Sequence, residues 1–72
     1  AEGQYATTAM NAANEIAVKA FLDGYIKFTD IAKINQASVE QMPSSIISSI
    51  DDVLAVDNQA RELADSLIKK LM

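Results

Sequence analysis

Seventy-two residues support one domain and one core, and a core of this size supplies only about 3 to 5 kcal/mol without a disulfide, a metal or a partner. The chain has no cysteine and no histidine, which removes disulfide frameworks, zinc sites built on thiolate or imidazole, and every nucleophile–histidine arrangement. Six basic against ten acidic residues give a net charge of −4, which repels nucleic-acid phosphates and anionic headgroups, so neither nucleic acid nor a membrane is an expected partner.

A first helix is predicted from Tyr5 to Leu22, rich in alanine and followed by Gly24 where helices commonly end. Ala9, Ala13, Ile16, Ala17 and Ala20 share one face, a surface of small side chains that lets a neighbouring helix approach closely. The other side mixes Asn11, Asn14 and Glu15 with Val18 and Leu22, with Met10 and Phe21 between the two faces. Asparagine is a mediocre helix former, so two in one turn suggest specific hydrogen bonds, with simple solvent exposure as the equal alternative, and Asn11, Asn14 and Glu15 are the candidate contacts to another domain.

Tyr25, Ile26 and Phe28 give the next connection enough apolar surface to be pinned on the core. Thr29 is expected to cap a second helix, with Asp30 in its first turn and Pro43 closing it. Ile31, Ile34, Val39 and Met42 form its apolar arc, with Asn35 and Ser38 as buried polar fillers. A serine-rich linker runs from Pro43 to Ser49. Ser49-Ile50-Asp51-Asp52 then reads as a capping box with aspartate in the usual glutamate position.

The third helix carries Val53, Val56, Ala60, Leu63, Ala64, Leu67 and Leu71 at helical spacing, widened by Ile50, Leu54 and Ile68. Asp57 with Arg61 and Asp65 with Lys69 stand four apart with the acid first, the favourable order. The fold class is all-α. No apolar run approaches the roughly 20 residues of a membrane span, and no basic start precedes an apolar stretch, so a cytoplasmic location is expected.

Tests for chemistry come back empty. Asp51, Asp52 and Asp57 resemble a hard-cation cluster, but neighbouring helix positions diverge by about 100° and no ligand loop is present beyond them. Gly3 and Gly24 are too far apart for a phosphate cradle or a dinucleotide fingerprint. Catalytic, cofactor and metal residues are therefore expected to be none. The chain resembles acyl carrier proteins in length, acidity and the tripeptide Asp65-Ser66-Leu67, but that family's modified serine opens a helix near mid-chain, whereas Ser66 falls inside the last helix.

A closer resemblance lies in three segments taken together. They are Asn11-Ala12-Ala13-Asn14-Glu15 running into Ala20-Phe21-Leu22, then Ile26-Lys27-Phe28-Thr29-Asp30-Ile31, then Asp52-Val53-Leu54 with Asp57 and Ala60-Arg61. In order and spacing the chain resembles the C-terminal helical domain of the 1-deoxy-D-xylulose 5-phosphate reductoisomerases, from about Gly3 through the last helix. The resemblance implies a parent enzyme that converts 1-deoxy-D-xylulose 5-phosphate to 2-C-methyl-D-erythritol 4-phosphate in non-mevalonate isoprenoid synthesis, using NADPH and a divalent cation, Mg, Mn or Co. It places nucleotide, metal and substrate residues in other domains and gives residues 1–72 a bracing role.

It also implies a four-helix up-and-down bundle of which this chain holds three helices, with Ala1-Glu2-Gly3 as the tail of a preceding one. The chain would then be a fragment lacking that helix and the catalytic domains. Its partners would be the remainder of the parent enzyme and, because three helices leave part of the Val53–Leu71 stripe uncovered, further copies of itself, with helices exchanged across the Ser44–Ser49 linker. The alternative is a free-standing helical interaction module.

Overall fold

The computed structural model describes residues 2–42 and 48–72. Its elements are α1 (Glu2–Leu22), α2 (Phe28–Gln41) and α3 (Ile50–Leu71). The long dimension of 37 Å is close to the ~33 Å of a 22-residue helix, so the helices lie side by side. One apolar cluster joins Ala17 and Ala20 to Ile34, Ala64 and Ile68, and the other joins Ala9 and Ala12 to Met42, Val56 and Ala60. α1 and α3 therefore run in the same direction, and α2 returns between them, as in an up-down-up bundle.

α1 starts earlier than alanine content alone placed it: Glu2 and Gly3 are its first residues, in one uninterrupted helix with the stretch from Gln4 to Leu22, and not the tail of another helix. Its far end is a Schellman closure. Tyr25 N–H donates to the Ala20 carbonyl at 2.9 Å and Gly24 N–H to that of Phe21 at 3.0 Å, with Gly24 at φ +86°. That backbone conformation is the reason for glycine at this position, because nothing stands within 4 Å of where a Cβ would sit.

α2 begins at Phe28 with Lys27 as its N-cap, so Thr29 lies inside the first turn instead of capping it. Lysine has no acceptor to offer. Asp30 compensates by accepting from Lys27 N–H at 2.9 Å, while its own N–H donates to the Lys27 carbonyl at 3.0 Å. At the other end Met42 is extended (φ −76°, ψ 139°), as the residue before a proline is driven to be. Most of the linker, residues 43–47, lies outside the described residues, and the expected helix exchange falls there.

α3 starts as its sequence indicates, with Ser49 Oγ accepting from Asp52 N–H at 3.3 Å. The returning half of the box is displaced by one residue: the Asp52 carboxylate accepts from Ser48 N–H and Ser48 Oγ, each at 3.0 Å.

The predicted alanine face of α1 is buried, joined by Ala12, and Ile16 is half-buried against it. Ile34 and Met42 are buried from α2, and Val56, Ala60, Ala64 and Ile68 from α3. Of the apolar connection only Ile26 is buried; Tyr25 and Phe28 are 56% and 71% exposed, because the Schellman closure turns the chain outward at that point. Ile50, Leu54 and Leu71 are likewise exposed, so the α3 stripe is covered in its middle and open at both ends.

Asn35 is half-buried and donates to the Asn14 side chain at 2.9 Å. Ser38 is fully buried, and its hydroxyl has no hydrogen-bond partner among the described residues. An unsatisfied buried hydroxyl costs about 1 to 3 kcal/mol, and alanine is also the better helix former. Ser38→Ala is therefore expected to stabilise the chain by about 1 kcal/mol in urea unfolding. A loss of stability would show that the hydroxyl is satisfied.

Candidate functional site

The three residues marked on the second side of α1 have different fates. Asn11 is exposed. Asn14 is spent on α2 through its bond with Asn35, whose own Oδ1 is buried without a partner among the described residues. Glu15 is spent on α3, where it meets the Arg61 guanidinium. Arg61 also donates from Nε to Asp57 Oδ2 at 2.8 Å, one turn earlier on its own helix. Local spacing announced the Asp57–Arg61 pair, but nothing local could announce Glu15, which lies 46 residues away.

Glu15, Arg61 and Asp57 together clamp α1 to α3. Hydrogen bonds from Arg61 to Asp57, and next to Glu15, hold the guanidinium above its already high ordinary value, so it stays charged. Its side chain is 36% exposed and that of Glu15 is 66% exposed, so solvent screens the pair and its main effect is to fix the register of two parallel helices. Lys69 meets Asp65 at 3.1 Å, also well exposed.

The donor set does not fit a divalent cation. Among the described residues no three His, Cys, Asp or Glu side chains converge to hold one. Of the acidic candidates, Asp52 is taken up by Ser48 and Asp57 by Arg61. A nucleotide phosphate fares no better: Gly3 lies within α1, and Gly24 comes just after a helix C-terminus, where the dipole repels anions. No helix among the described residues is long and apolar enough to cross a membrane.

A sequence model described as the DXP reductoisomerase C-terminal domain matches residues 1–63. The chain belongs to this family. It is 63% identical over 70 residues to the 1-deoxy-D-xylulose 5-phosphate reductoisomerase of Haemophilus influenzae (strain 86-028NP) and 53% identical over 70 residues to that of Shewanella woodyi. Each alignment takes in 97% of this chain and 18% of the relative. The chain thus spans under a fifth of the length of the curated relatives it matches. Its fold is similar to part of the reductoisomerase of Zymomonas mobilis solved in complex with NADPH, with a TM-score of 0.81 and 51% identity, covering 85% of this chain and 16% of that one.

Electrostatics inside the domain are structural, and Asp52 offers a way to read them. Its backbone hydrogen bond from Ser48, then the Ser48 hydroxyl, hold the carboxyl below its ordinary value of 3.8. A depressed folded value means that the ionised form contributes stability above pH 3.8 and that this contribution is lost as pH falls through the lower, folded value. Unfolding measured from neutral pH downward should show wild type losing stability across that acid range, and Asp52→Asn losing less of it. Parallel curves for the two would mean that the Ser48 contacts do not hold in solution.

Proposed function

We propose that the chain is the C-terminal helical domain of a reductoisomerase that converts 1-deoxy-D-xylulose 5-phosphate to 2-C-methyl-D-erythritol 4-phosphate with NADPH and a divalent cation, Mg, Mn or Co. The observation that carries the proposal is the match of residues 1–63 to the family's C-terminal domain, in a chain where Asp52 is taken up by Ser48 and Asp57 by Arg61. In this reading residues 1–72 form one bundle domain that braces the rest of the enzyme, and nucleotide, metal and substrate are held elsewhere in the polypeptide. The enzyme is cytoplasmic. Isothermal titration of the isolated chain with NADPH should give no saturable heat, and addition of 1-deoxy-D-xylulose 5-phosphate should cause no NADPH oxidation. The longer protein that contains it should do both, and turnover by the isolated chain would overturn the assignment of roles.

Asn11, Asn14 and Glu15 are further proposed to contact the remainder of that enzyme, Asn11 with its amide unspent and the other two from the outer side of their α2 and α3 bonds. Asn11→Ala should leave the isolated chain as stable or slightly more so, since alanine favours the helix, but should cost the longer enzyme about 1 to 3 kcal/mol if a buried partner is orphaned. An equal gain in both would place Asn11 in solvent. The isolated chain is also proposed to self-associate through the open N-terminal end of the α3 stripe, Ile50 and Leu54, which are 76% and 57% exposed; light scattering over a dilution series reads this directly.

A further inference from the structure

One end of the bundle is built unlike the rest. The C-terminus of α1, the connection 23–27, the start of α2 and the C-terminus of α3 meet there, as the contacts Ala20–Ile68 and Phe21–Phe28 require. Among the described residues, six of the nine exposed large hydrophobic side chains belong to it: Phe21, Leu22, Tyr25, Phe28, Leu71 and Met72. They are linked across elements. The rings of Phe21 and Phe28 meet edge-on at 5.7 Å, and Tyr25 and Met72 line one cleft of about 400 Å³. Leu71 borders a separate apolar groove between α2 and α3, over Ile34 and Leu67. Their exposed areas sum to something on the order of 800 Å², distributed around this end over the α1–α2, α1–α3 and α2–α3 sides.

The same end holds five of the chain's six basic residues, Lys19, Lys27, Lys33, Lys69 and Lys70, against three acids, Asp23, Asp30 and Asp65. A chain that is acidic as a whole is basic here. An apolar centre with a rim of lysines is the layout of a docking surface, and its charge sets the partner. A second copy placed end to end would oppose lysine to lysine.

We propose that this end docks on an acidic, apolar-centred surface of the same polypeptide in the longer protein, an inference that rests on reading the chain as a reductoisomerase domain. In the matched relatives more than four-fifths of the chain lies outside the aligned region, so a covalently tethered neighbour is present at high effective concentration. The polar side of α1 offers less, because Asn14 and Glu15 are engaged within the bundle. Phe21, Leu22 and Phe28 anchor the contact, and Lys27 and Lys33 orient it.

The test is Leu22→Gln with Phe28→Asp, made both in the isolated chain and in the longer protein. Both side chains are exposed, so the isolated chain should lose only the edge-on Phe21–Phe28 contact, a few degrees of melting temperature at most, while the longer protein should melt roughly 5 °C lower beyond that loss and be cleaved about tenfold faster between the bundle and its neighbour. Lys27→Glu with Lys33→Glu should act in the same direction and lose its effect at high salt. Unchanged melting and cleavage of the longer protein would overturn the proposal. So would an equal loss in the isolated chain, which would make the residues structural, or association of the isolated chain that Leu22→Gln with Phe28→Asp abolishes, which would make the occupant a second copy. Absence of reductoisomerase turnover in the unaltered longer protein would defeat the domain reading alone, since melting and cleavage do not depend on it.

Discussion

The fold depends on the contact between the alanine face of α1 and the alanines of α3. Ala9, Ala13 and Ala17 on one helix and Ala60 and Ala64 on the other are all fully buried, and among the described residues no larger hydrophobic side chain is. Small side chains let two helices run close and parallel, so that shape does the work that bulk does in other cores. The cost is a thin core. Each buried isoleucine or valine contributes about 1.5 to 3 kcal/mol and each alanine much less, so Ile26, Ile34, Val56 and Ile68 carry most of the burial energy at the flanks of the alanine seam. The larger side chains that find no room in such a seam are left at the ends, which ties the exposed aromatic end of the bundle to the packing at its centre.

Parallel α1 and α3 align their dipoles side by side, an arrangement that side-chain charge has to offset. Asp51 and Asp52 stand in the first turn of α3, and Lys69 and Lys70 in its last, with Lys19 in the last turn of α1. Each places the compensating sign at its helix end. Arg61 adds the cross-link by reaching back to Asp57 on its own helix and across to Glu15. Lys19, Lys69 and Lys70 thus follow helix polarity and are also available to an interface, whereas Lys27 stands at the N-terminus of α2, against its dipole.

Much of this was legible in the sequence because it is governed by local rules. The alanine face, the helix stop at Gly24, the cap at Ser49 and the two acid-first ion pairs each depend on residues within a turn of one another, and all are present. The misreadings share a cause. Thr29 was the better intrinsic cap than Lys27, but Asp30 could supply the acceptor from inside the helix, so the start moved to admit it. Tyr25 and Phe28 carry enough apolar surface to be buried, yet the direction in which a Schellman closure releases the chain decided otherwise. The Glu15–Arg61 and Asn14–Asn35 contacts depend on which helices become neighbours, and no periodicity within a helix encodes that.

The candidate site obeyed the same division. Asparagines inside a helix signalled hydrogen bonding, and one of the two makes such a bond, but to the bundle's own α2. A polar residue on a helix's second side therefore does not by itself mark a domain boundary, since a small bundle uses its few polar side chains first to align its own helices. What remains for a neighbour is whatever the thin core cannot hold. In this chain that remainder is aromatic and aliphatic, gathered where the helix ends also collect lysine. The capping and clamping carboxylates, Asp30, Asp52, Asp57 and Glu15, serve the bundle itself, while the larger apolar side chains at this end are turned outward.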